Sequence, residues 1–391
     1  MGRQRSDDGS RPAGSSVRLT VFIAPLQADW GMAFQPLALS VAVLVLTGCG
    51  SGVTVTPTMP SSATVGTGAT AQSDPSPAVR MTSTIASGLD VPWGIAFVPD
   101  GSALVSERDT ARILRVDAGA PSVVGTVSDV EPMGEGGLLG IAYADGWLYA
   151  YLTTATDNRV VRMKWDGSEL GAAESIRTGI PKAGVHNGGR LIFGPDRMLY
   201  VATGDAAVPE TAQDPLSLAG KILRLAPDGS VPGDNPEPDS PVFSLGHRNI
   251  QGLAFDGQDR LWASEFGQQD VDELNLITAG SNYGWPECEG ACATDPFVDP
   301  VVQWEPTSIS SPSGVAIVDD YAYVASLRGQ AVWQVRLDGS GNATRLDLGD
   351  LGRLRTIAAA PDGSLWLSTS NTDGRGDPRD GDDRIVRLSL T

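Results

Sequence analysis

Six loose copies of one strand–turn–strand pattern constrain the fold of this chain more than any other feature. Each copy has an apolar strand, a turn built on Asp or Gly and a second apolar strand, and most are followed by a third strand. The copies span residues 93–107, 138–152, 189–205, 251–265, 313–327 and 355–369, with a spacing between turns of roughly 43 to 63 residues. Asp-Gly turns between short strands form hairpins, and several strands per period of this length are typical of a β-propeller blade.

The strands at the two ends of the repeat region predict how the ring closes. The strand at residues 81–87 (MTSTIAS) precedes the first copy and has no partner in it. If it becomes the outer strand of the last blade, the ring has no free end to invite aggregation. We therefore predict an all-β, six-bladed β-propeller of four-stranded antiparallel blades over residues 81–391, with the amino-terminal strand closing the last blade.

The first 80 residues have a different composition. Residues 33–46 form an apolar run that is short for a membrane span and about right for the central region of a signal peptide. The stretch that follows, ending at Cys49, is similar to the lipobox of bacterial lipoproteins. We expect residues 1–49 to be a signal peptide with a lipobox, residues 50–80 to be a flexible Ser/Thr/Gly/Pro-rich tether, and the protein to be exported to the cell surface or periplasm as a lipoprotein anchored at Cys49. A plain secretory signal with an incidental cysteine is the alternative.

Export would also make a disulfide possible. The other two cysteines, Cys288 and Cys292, stand four residues apart in CEGAC. Disulfides persist in oxidising compartments outside the cytoplasm. We therefore expect a local staple that closes this loop.

The charge balance excludes some partners. The chain has 28 Lys+Arg against 47 Asp+Glu, a formal net charge of −19 at pH 7. Nucleic acids and anionic lipid headgroups bind to basic protein faces. We therefore expect no nucleic-acid partner, and contact with a membrane only through the lipid anchor. The acidity can also serve solubility alone.

Both histidines of the chain lie in Gly/Asn/Arg-rich turns directly ahead of an apolar run. His186 stands in HNGGR before the third copy, and His247 stands in GHRN before the fourth. Loops that enter the innermost strands of a propeller gather at one mouth of the central channel, so both histidines should face it. A neutral imidazole can take a proton near neutral pH, which makes it a candidate general base. The alternative is that each histidine caps its turn through hydrogen bonds.

Acidic residues are concentrated in two further loops at the same mouth. GEGGLLG places Glu135 before the second copy, and the loop at 264–286 carries Glu265, Asp270, Asp272 and Glu273. Carboxylate and carbonyl oxygens suit Ca²⁺, which accepts about six to eight of them. The spacing is not that of an EF-hand, and a solvated acidic loop is the alternative.

Arginines are the basic complement of these acids. Arg248, Arg328, Arg353 and Arg355 all flank inner strands. Four guanidinium groups that converge on one mouth indicate a polyanionic ligand held by charge-assisted hydrogen bonds. The alternative is that arginine is the general-purpose cation of a chain in which only residues 164, 182 and 221 are lysines.

Five motifs in a fixed order resemble a known family. They are HNGGRLIFGPD, GKILRLAPDGSVPGDNP, GHRNIQGLAFD, SEFGQQDVDELNLI and SNYGWP. Together they resemble the soluble quinoprotein sugar dehydrogenases, the glucose and aldose dehydrogenases that use pyrroloquinoline quinone (PQQ). The resemblance runs from about residue 84 to residue 390, and it is more specific for the family than for the sugar.

The resemblance implies a six-bladed propeller that holds PQQ in the mouth of the channel. It implies that His186 abstracts the C1 hydroxyl proton of an aldose while hydride passes from C1 to C5 of the quinone, which yields a lactone. His247 would brace the turn that carries the next two residues. Positions that match the family's cofactor-binding set are Glu135, Arg248, Asn249, Arg328, Arg353 and Arg355.

The resemblance also implies two kinds of Ca²⁺ site. Backbone carbonyls of Gly267 and Gln268 would hold the Ca²⁺ that polarises PQQ, and Glu273 and Tyr283 would bind a further, structural Ca²⁺.

Three positions depart from the family pattern. Arg328 stands where a lysine is expected, Gln268 where some members have proline, and Glu135 where the glucose enzymes have glutamine. The last change and the short loops favour the aldose branch and a monomer.

Three functions stay open on the sequence alone. The first is a PQQ-dependent aldose dehydrogenase that passes electrons to an unidentified acceptor. The second is a Ca²⁺-dependent lactonase, which needs a central metal and no trianion pocket. The third is a propeller that binds carbohydrate or protein without catalysis.

Overall fold

The predicted six-bladed fold is confirmed. The structure is a computed structural model that describes residues 76–117, 120–292 and 296–391. The described residues form six four-stranded antiparallel sheets. The innermost strand of each sheet packs against that of the next sheet, and the last packs against the first, which closes the ring. The predicted signal peptide, Cys49 and most of the predicted tether lie outside the described residues.

The blades follow the chain in order. Blade 1 contains β2 (Pro92–Phe97), β3 (Ala103–Glu107), β4 (Arg112–Val116) and β5 (Ser122–Thr126). Blade 2 contains β6 (Leu138–Ala144), β7 (Trp147–Thr153), β8 (Asn158–Lys164) and β9 (Glu174–Ile180). Blade 3 contains β10 (Leu191–Phe193), β11 (Leu199–Ala202), β12 (Lys221–Leu225) and β13 (Val242–Leu245). Blade 4 contains β14 (Ile250–Phe255), β15 (Leu261–Glu265), β16 (Asp272–Ile277) and β17 (Val302–Trp304). Blade 5 contains β18 (Pro312–Val318), β19 (Tyr321–Ser326), β20 (Ala331–Arg336) and β21 (Ala343–Leu346). Blade 6 contains β22 (Leu354–Ala359), β23 (Leu365–Thr369), β24 (Arg384–Leu390) and β1 (Val79–Ser87).

Helical structure is confined to two single turns in the part of the chain described. Both are 3₁₀ turns, at Pro209–Ala212 and Thr307–Ile309. No helix in the described ranges is long and apolar enough to cross a membrane.

The hydrophobic core lies between neighbouring blades. The described residues form one apolar cluster at each of the six interfaces, including the interface between blades 6 and 1. Tyr149, Tyr151 and Trp262 are among the large side chains that these clusters bury completely. Burial of each such side chain stabilises the fold by about 1.5–3 kcal/mol. Because every blade packs both of its faces against neighbouring blades, the six clusters together stabilise the ring as a whole.

Glycine at an equivalent position of four inner strands lets the blades meet at the axis. These are Gly94, Gly140, Gly252 and Gly314. A Cβ atom at Gly94 would lie 2.8 Å from the backbone nitrogen of Ile141 on the next inner strand, which is closer than real Cβ contacts. In blades 3 and 6 the same position holds Arg190 and Thr356, and the Nη2 of Arg190 donates to the Thr356 hydroxyl across the channel at 3.2 Å. The side chain of Arg190 therefore fills the centre of the ring.

The amino-terminal strand closes the last blade, as predicted. β1 pairs with β24 from Val79↔Leu390 to Ser87↔Arg384. It begins two residues inside the segment expected to be a tether, and the carbonyl of Pro77 already accepts a hydrogen bond from Gln334 of blade 5. Val79 packs at the interface of blades 5 and 6, while Ile85 and Ala86 pack at that of blades 6 and 1.

Deleting residues 81–88 is expected to lower the melting temperature of the whole ring. The deletion removes most of the β1–β24 ladder and apolar contacts at the interface of blades 6 and 1. A loss of several kcal/mol corresponds to at least about 5 °C for a large domain. Calorimetry should show one cooperative transition at the lower temperature. An unchanged melting temperature, or a new minor transition beside the original one, would refute closure by this strand.

Candidate active site

The predicted site residues converge at one mouth of the channel. Two adjoining pockets share Glu135, Phe266, Leu327 and Arg375 in their walls and form one cleft. Eight of the predicted residues line it: Glu135, His186, Arg248, Gly267, Gln268, Arg328, Arg353 and Arg355. Four of them lie in loops that enter inner strands and three in loops that follow second strands, and a ring of blades brings both kinds of loop to the same mouth.

His186 is held with one ring nitrogen bonded and the other available. Its Nδ1 lies 2.8 Å from Oδ1 of Asp205, a completely buried carboxylate. The indole N–H of Trp285 and the backbone amide of Ala207 fix Asp205 in turn, at 2.9 and 2.8 Å. Since a carboxylate accepts the Nδ1 proton, the lone pair is on Nε2, which has no protein partner in the described ranges. The imidazole is therefore arranged to accept a proton from a molecule in the cleft.

His247 has the same kind of carboxylate partner but no available nitrogen. Its Nδ1 lies 2.9 Å from Oε2 of Glu265, and its Nε2 lies 2.9 Å from the hydroxyl of Ser244. The ring is completely buried and stacks on Tyr283 at 4.7 Å. Oε1 of Glu265 accepts the backbone amide of Arg248. These bonds match the expectation that His247 braces the turn carrying Arg248.

The two histidines thus have the same structural arrangement relative to a carboxylate. Each precedes an inner strand, and each is bonded to a carboxylate 19 or 18 residues later, where the second strand of the same blade ends. Asp205 was not among the residues predicted from the sequence. The repeated interval between a histidine and an acid at the end of the second strand is the signal that would have found it.

Arg353 and Arg355 form a buried cationic pair around one carboxylate. Asp373 accepts Nε and Nη2 of Arg353 at 3.1 and 3.0 Å, and Nη2 of Arg355 lies 3.8 Å away. Burial opposes ionisation of Asp373, but the two guanidinium groups hold its pKa below the ordinary value. Burial lowers the pKa of Arg355 to about 10. In the part of the chain that the structure describes, its Nε is buried without a hydrogen-bond partner, whereas its Nη1 donates to Oε1 of Gln251.

Arg248 and Arg328 lie on the side of the cleft nearer His186. The Nη1 of Arg248 donates to the carbonyl of Gly267 at 2.7 Å, and its Nε is buried without a hydrogen-bond partner among the residues described. The Nη1 of Arg328 lies 3.5 Å from the hydroxyl of Thr307, a weak contact, and its charge acts on the Asp272 carboxylate. Asn249 lies beneath the cleft rather than in its wall. Its Oδ1 accepts the amide of Gly188 at 3.0 Å, and its Nδ2 is buried with no hydrogen-bond partner in the described ranges.

Arg190 lies directly beneath the floor of the cleft. The guanidinium carbon of Arg190 lies 4.3 Å from the ring centroid of Trp93, which lines the cleft. Burial and the neighbouring Arg355 lower the pKa of Arg190 to about 9. HNGGR was singled out for its histidine, but the last residue of the motif closes the channel beneath the site.

Glu135 and Arg375 bridge the mouth between blades 2 and 6. Oε1 of Glu135 lies 2.7 Å from Nη1 of Arg375, and its Oε2 accepts the backbone amide of His186 at 2.9 Å. Burial opposes ionisation of Glu135, but these two donors hold its pKa below the ordinary value. Arg375 was also missed from the sequence. Its loop follows the second strand of the last copy, the same place as the loop that carries Phe266 in the fourth.

The cleft carries a surplus of positive charge in an acidic protein. Six arginines line it, against three carboxylates: Arg108, Arg248, Arg328, Arg353, Arg355 and Arg375 against Glu135, Asp272 and Asp373. One of the six, Arg108, is paired with Asp109 outside the lining, which leaves a surplus of two positive charges in one cavity of a chain whose net charge is −19. Such a cavity favours an anion with several charges.

The described residues contain no cluster of three or more His, Cys, Asp or Glu side chains arranged to hold a metal. Gly267 and Gln268 line the cleft, and their backbone carbonyls are hard ligands of the kind that Ca²⁺ accepts, although the Gly267 carbonyl accepts Nη1 of Arg248 here. Both oxygens of Glu273 accept hydrogen bonds, from Gly290 and Asn275, and burial together with the neighbouring Glu265 raises its pKa above the ordinary value. The hydroxyl of Tyr283 donates to the Leu276 carbonyl. A structural Ca²⁺ at these two residues stays a prediction.

Cys288 and Cys292 are joined by a disulfide. Their Cα atoms are 5.7 Å apart, within the range of an ordinary bridge.

Comparison with known proteins places the chain in a family. A family model described as glucose/sorbosone dehydrogenase matches residues 89–385. The PQQ-bound aldose sugar dehydrogenase of Streptomyces coelicolor is 50% identical, with a TM-score of 0.78 and coverage of 81% of this chain and 98% of that one. Quinoprotein glucose dehydrogenase B of Acinetobacter calcoaceticus is 33% identical over 53% of this chain and 52% of its own length. Aldose sugar dehydrogenase YliI of Escherichia coli is 28% identical over 76% of this chain and 92% of its own length.

The family match and the converging cleft agree on the same segment of the chain. The matched residues cover five complete blades and two of the four strands of the sixth, and every residue that lines the cleft lies within them. The chain therefore belongs to the glucose/sorbosone dehydrogenase family of oxidoreductases.

Proposed function

We propose that this chain is a PQQ-dependent aldose dehydrogenase that oxidises the sugar at C1 to the lactone. The observation that carries the proposal is the surplus of positive charge in the cleft beside an imidazole with an available nitrogen. PQQ has three carboxylates, so the charge surplus suits its ionised form. Among the described residues, the buried Nε atoms of Arg248 and Arg355 have no hydrogen-bond partner, as expected of donors kept for a ligand.

Each residue has a distinct part in this reaction. Arg353 and Arg355 would bind cofactor carboxylates, and Arg248, Asn249 and Arg328 would contact the rest of the molecule. When bound, PQQ supplies a quinone carbon that accepts hydride. His186 takes the proton of the C1 hydroxyl on Nε2, and Asp205 stabilises the imidazolium that forms. Glu135 orders the loop of His186 through its backbone amide and faces the space for the sugar.

The Ca²⁺ proposed with PQQ would be held by the carbonyls of Gly267 and Gln268. Carbonyl oxygens are ligands that Ca²⁺ prefers, and both residues line the cleft. Arg248 donates to the Gly267 carbonyl in this structure. The guanidinium and the cation would therefore share this edge of the cleft.

We also propose that the protein is an exported monomer anchored through a lipid on Cys49. An apolar run at residues 33–46, directly followed by a small-residue stretch ending in that cysteine, supports this. An enzyme so placed would pass its electrons to a carrier outside the cytoplasm.

Addition of PQQ and Ca²⁺ to the full chain is expected to produce sugar-dependent dye reduction. The reason is that both groups are needed to complete the site, so either alone should give little turnover. A panel of aldoses, each assayed with both additions and with each one singly, measures this. Absence of any spectral change with PQQ would instead favour a propeller that binds carbohydrate or protein. Lactone hydrolysis that needs Ca²⁺ but not PQQ would favour the lactonase.

A further inference from the structure

One carboxylate oxygen of Glu289 accepts hydrogen bonds from four consecutive backbone amides of the loop after β15. Oε1 lies 2.6 Å from the nitrogen of Gln268, 3.0 Å from those of Gln269 and Asp270, and 3.3 Å from that of Val271. Hydrogen bonds to an ionised carboxylate are about twice as strong as those between neutral groups. Glu289 therefore fixes the orientation of several successive peptide groups.

That orientation determines where the preceding carbonyls point. In a trans peptide, the N–H of one residue and the C=O of the residue before it share a plane and point in opposite directions. Since the amides of Gln268 and Gln269 point toward Glu289, the carbonyls of Gly267 and Gln268 point away from it. Both residues line the cleft, and the Gly267 carbonyl accepts Nη1 of Arg248. Glu289 thus acts from outside the cleft on the two carbonyls proposed to bind Ca²⁺.

Glu289 is itself held by the disulfide loop of CEGAC. The Cys288–Cys292 bridge closes a five-residue loop that contains Glu289. The amide of Gly290 donates to Glu273 at 2.7 Å, and the amide of Cys288 donates to the carbonyl of Gly284 at 3.1 Å. The acid therefore sits on a short covalent loop with anchors to β16 and to the SNYGWP segment.

We propose that Glu289 is a positioning residue for the Ca²⁺-binding loop, and that the Cys288–Cys292 disulfide keeps it in place. The inference rests on the proposed function, because the cation and PQQ are the groups whose binding the loop would control. The CEGAC segment, which holds no group that lines the cleft, would thereby have a function at the active site.

Replacement of Glu289 by alanine tests this in the full chain. The amides of residues 268–270 belong to exposed residues that water can solvate, so the propeller should fold and keep its melting temperature. We expect faster hydrogen exchange of the 268–271 amides, and an at least tenfold higher Ca²⁺ concentration for half-maximal PQQ binding, measured by absorbance. Glu289→Gln keeps an acceptor oxygen without the charge. Its amide exchange rate and its Ca²⁺ requirement should therefore lie between those of the wild type and of Glu289→Ala. Glu287→Ala is the control, because Glu287 is exposed two residues away and should behave as the wild type.

Cys288→Ser combined with Cys292→Ser should change both quantities in the same direction. Unchanged amide exchange in Glu289→Ala would overturn the proposed hold on the loop. Faster exchange with an unchanged Ca²⁺ requirement would overturn the link to the cation site. Failure of the wild type itself to bind PQQ would instead contradict the proposed function, and the exchange data would still report whether Glu289 orders the loop.

Discussion

Replacement of His186 by alanine is expected to lower kcat by a factor on the order of 10² or more while PQQ binding stays as in the wild type. This range is the usual effect of removing a general base. The affinity for PQQ should persist because the arginines that would bind its carboxylates do not depend on the imidazole. Dye-linked kinetics with a saturating aldose give kcat, and a PQQ titration gives the affinity.

The Asp205→Asn variant distinguishes the role of His186 as the base from the role of the carboxylate that orients it. An asparagine amide at this position can donate to Nδ1 and so favour the tautomer whose proton is on Nε2, the form that cannot accept a proton from the sugar. We therefore expect a large fall in kcat with His186 still present, and a modestly lower melting temperature, because the amide nitrogen that faces Nδ1 leaves the Ala207 amide without its acceptor. Wild-type kcat in His186→Ala would contradict the assignment of the base. A normal kcat in Asp205→Asn alone would remove Asp205 from the mechanism.

Arg353→Ala combined with Arg355→Ala is expected to weaken PQQ binding by a factor of about 10² or more. Each lost hydrogen bond between charged groups contributes about 1.5–3 kcal/mol, and about 1.4 kcal/mol corresponds to a factor of ten. Isothermal titration of PQQ into the full chain with Ca²⁺ present measures the change. Binding at wild-type affinity would exclude these arginines as the anchors of the cofactor.

The double replacement leaves Asp373 buried without its partners. An uncompensated buried carboxylate destabilises a fold, so part of the effect could come from misfolding. Addition of Asp373→Asn removes the stranded charge and should restore the melting temperature without restoring affinity. Arg162→Ala is the matched control, because this arginine contacts Trp147 and Glu174 outside the cleft and should leave PQQ binding unchanged.

The ring of blades could be predicted because each copy repeats its own local chemistry. Apolar strands around an Asp or Gly turn specify hairpins wherever they occur, and the order of the copies then places His186 and four arginines at one mouth. The fourth strand of most blades could not be seen in the repeat. Several of these strands are half exposed, as in Ser122–Thr126, and Val302–Trp304 has only three residues, so neither alternation nor length marks them.

The contacts that complete the site could not be predicted because they cross the ring. Arg375 meets Glu135 over a separation of 240 residues, and Arg190 meets Thr356 over 166. Such pairs depend on the reach of side chains between blades, which no local pattern encodes. Asp205 is different, since its position relative to His186 repeats that of Glu265 relative to His247.

A crystal structure of the full chain with added PQQ and Ca²⁺ tests the central claim most directly. The claim is that one cavity binds a triply charged anion next to an imidazole that acts as the base. We predict electron density for PQQ in the cleft, with its carboxylates on Arg353 and Arg355, Ca²⁺ at the carbonyls of Gly267 and Gln268, and Nε2 of His186 facing the space left for a sugar. PQQ density at another place on the protein, or a cleft that stays free of it at saturating concentration, would contradict the account.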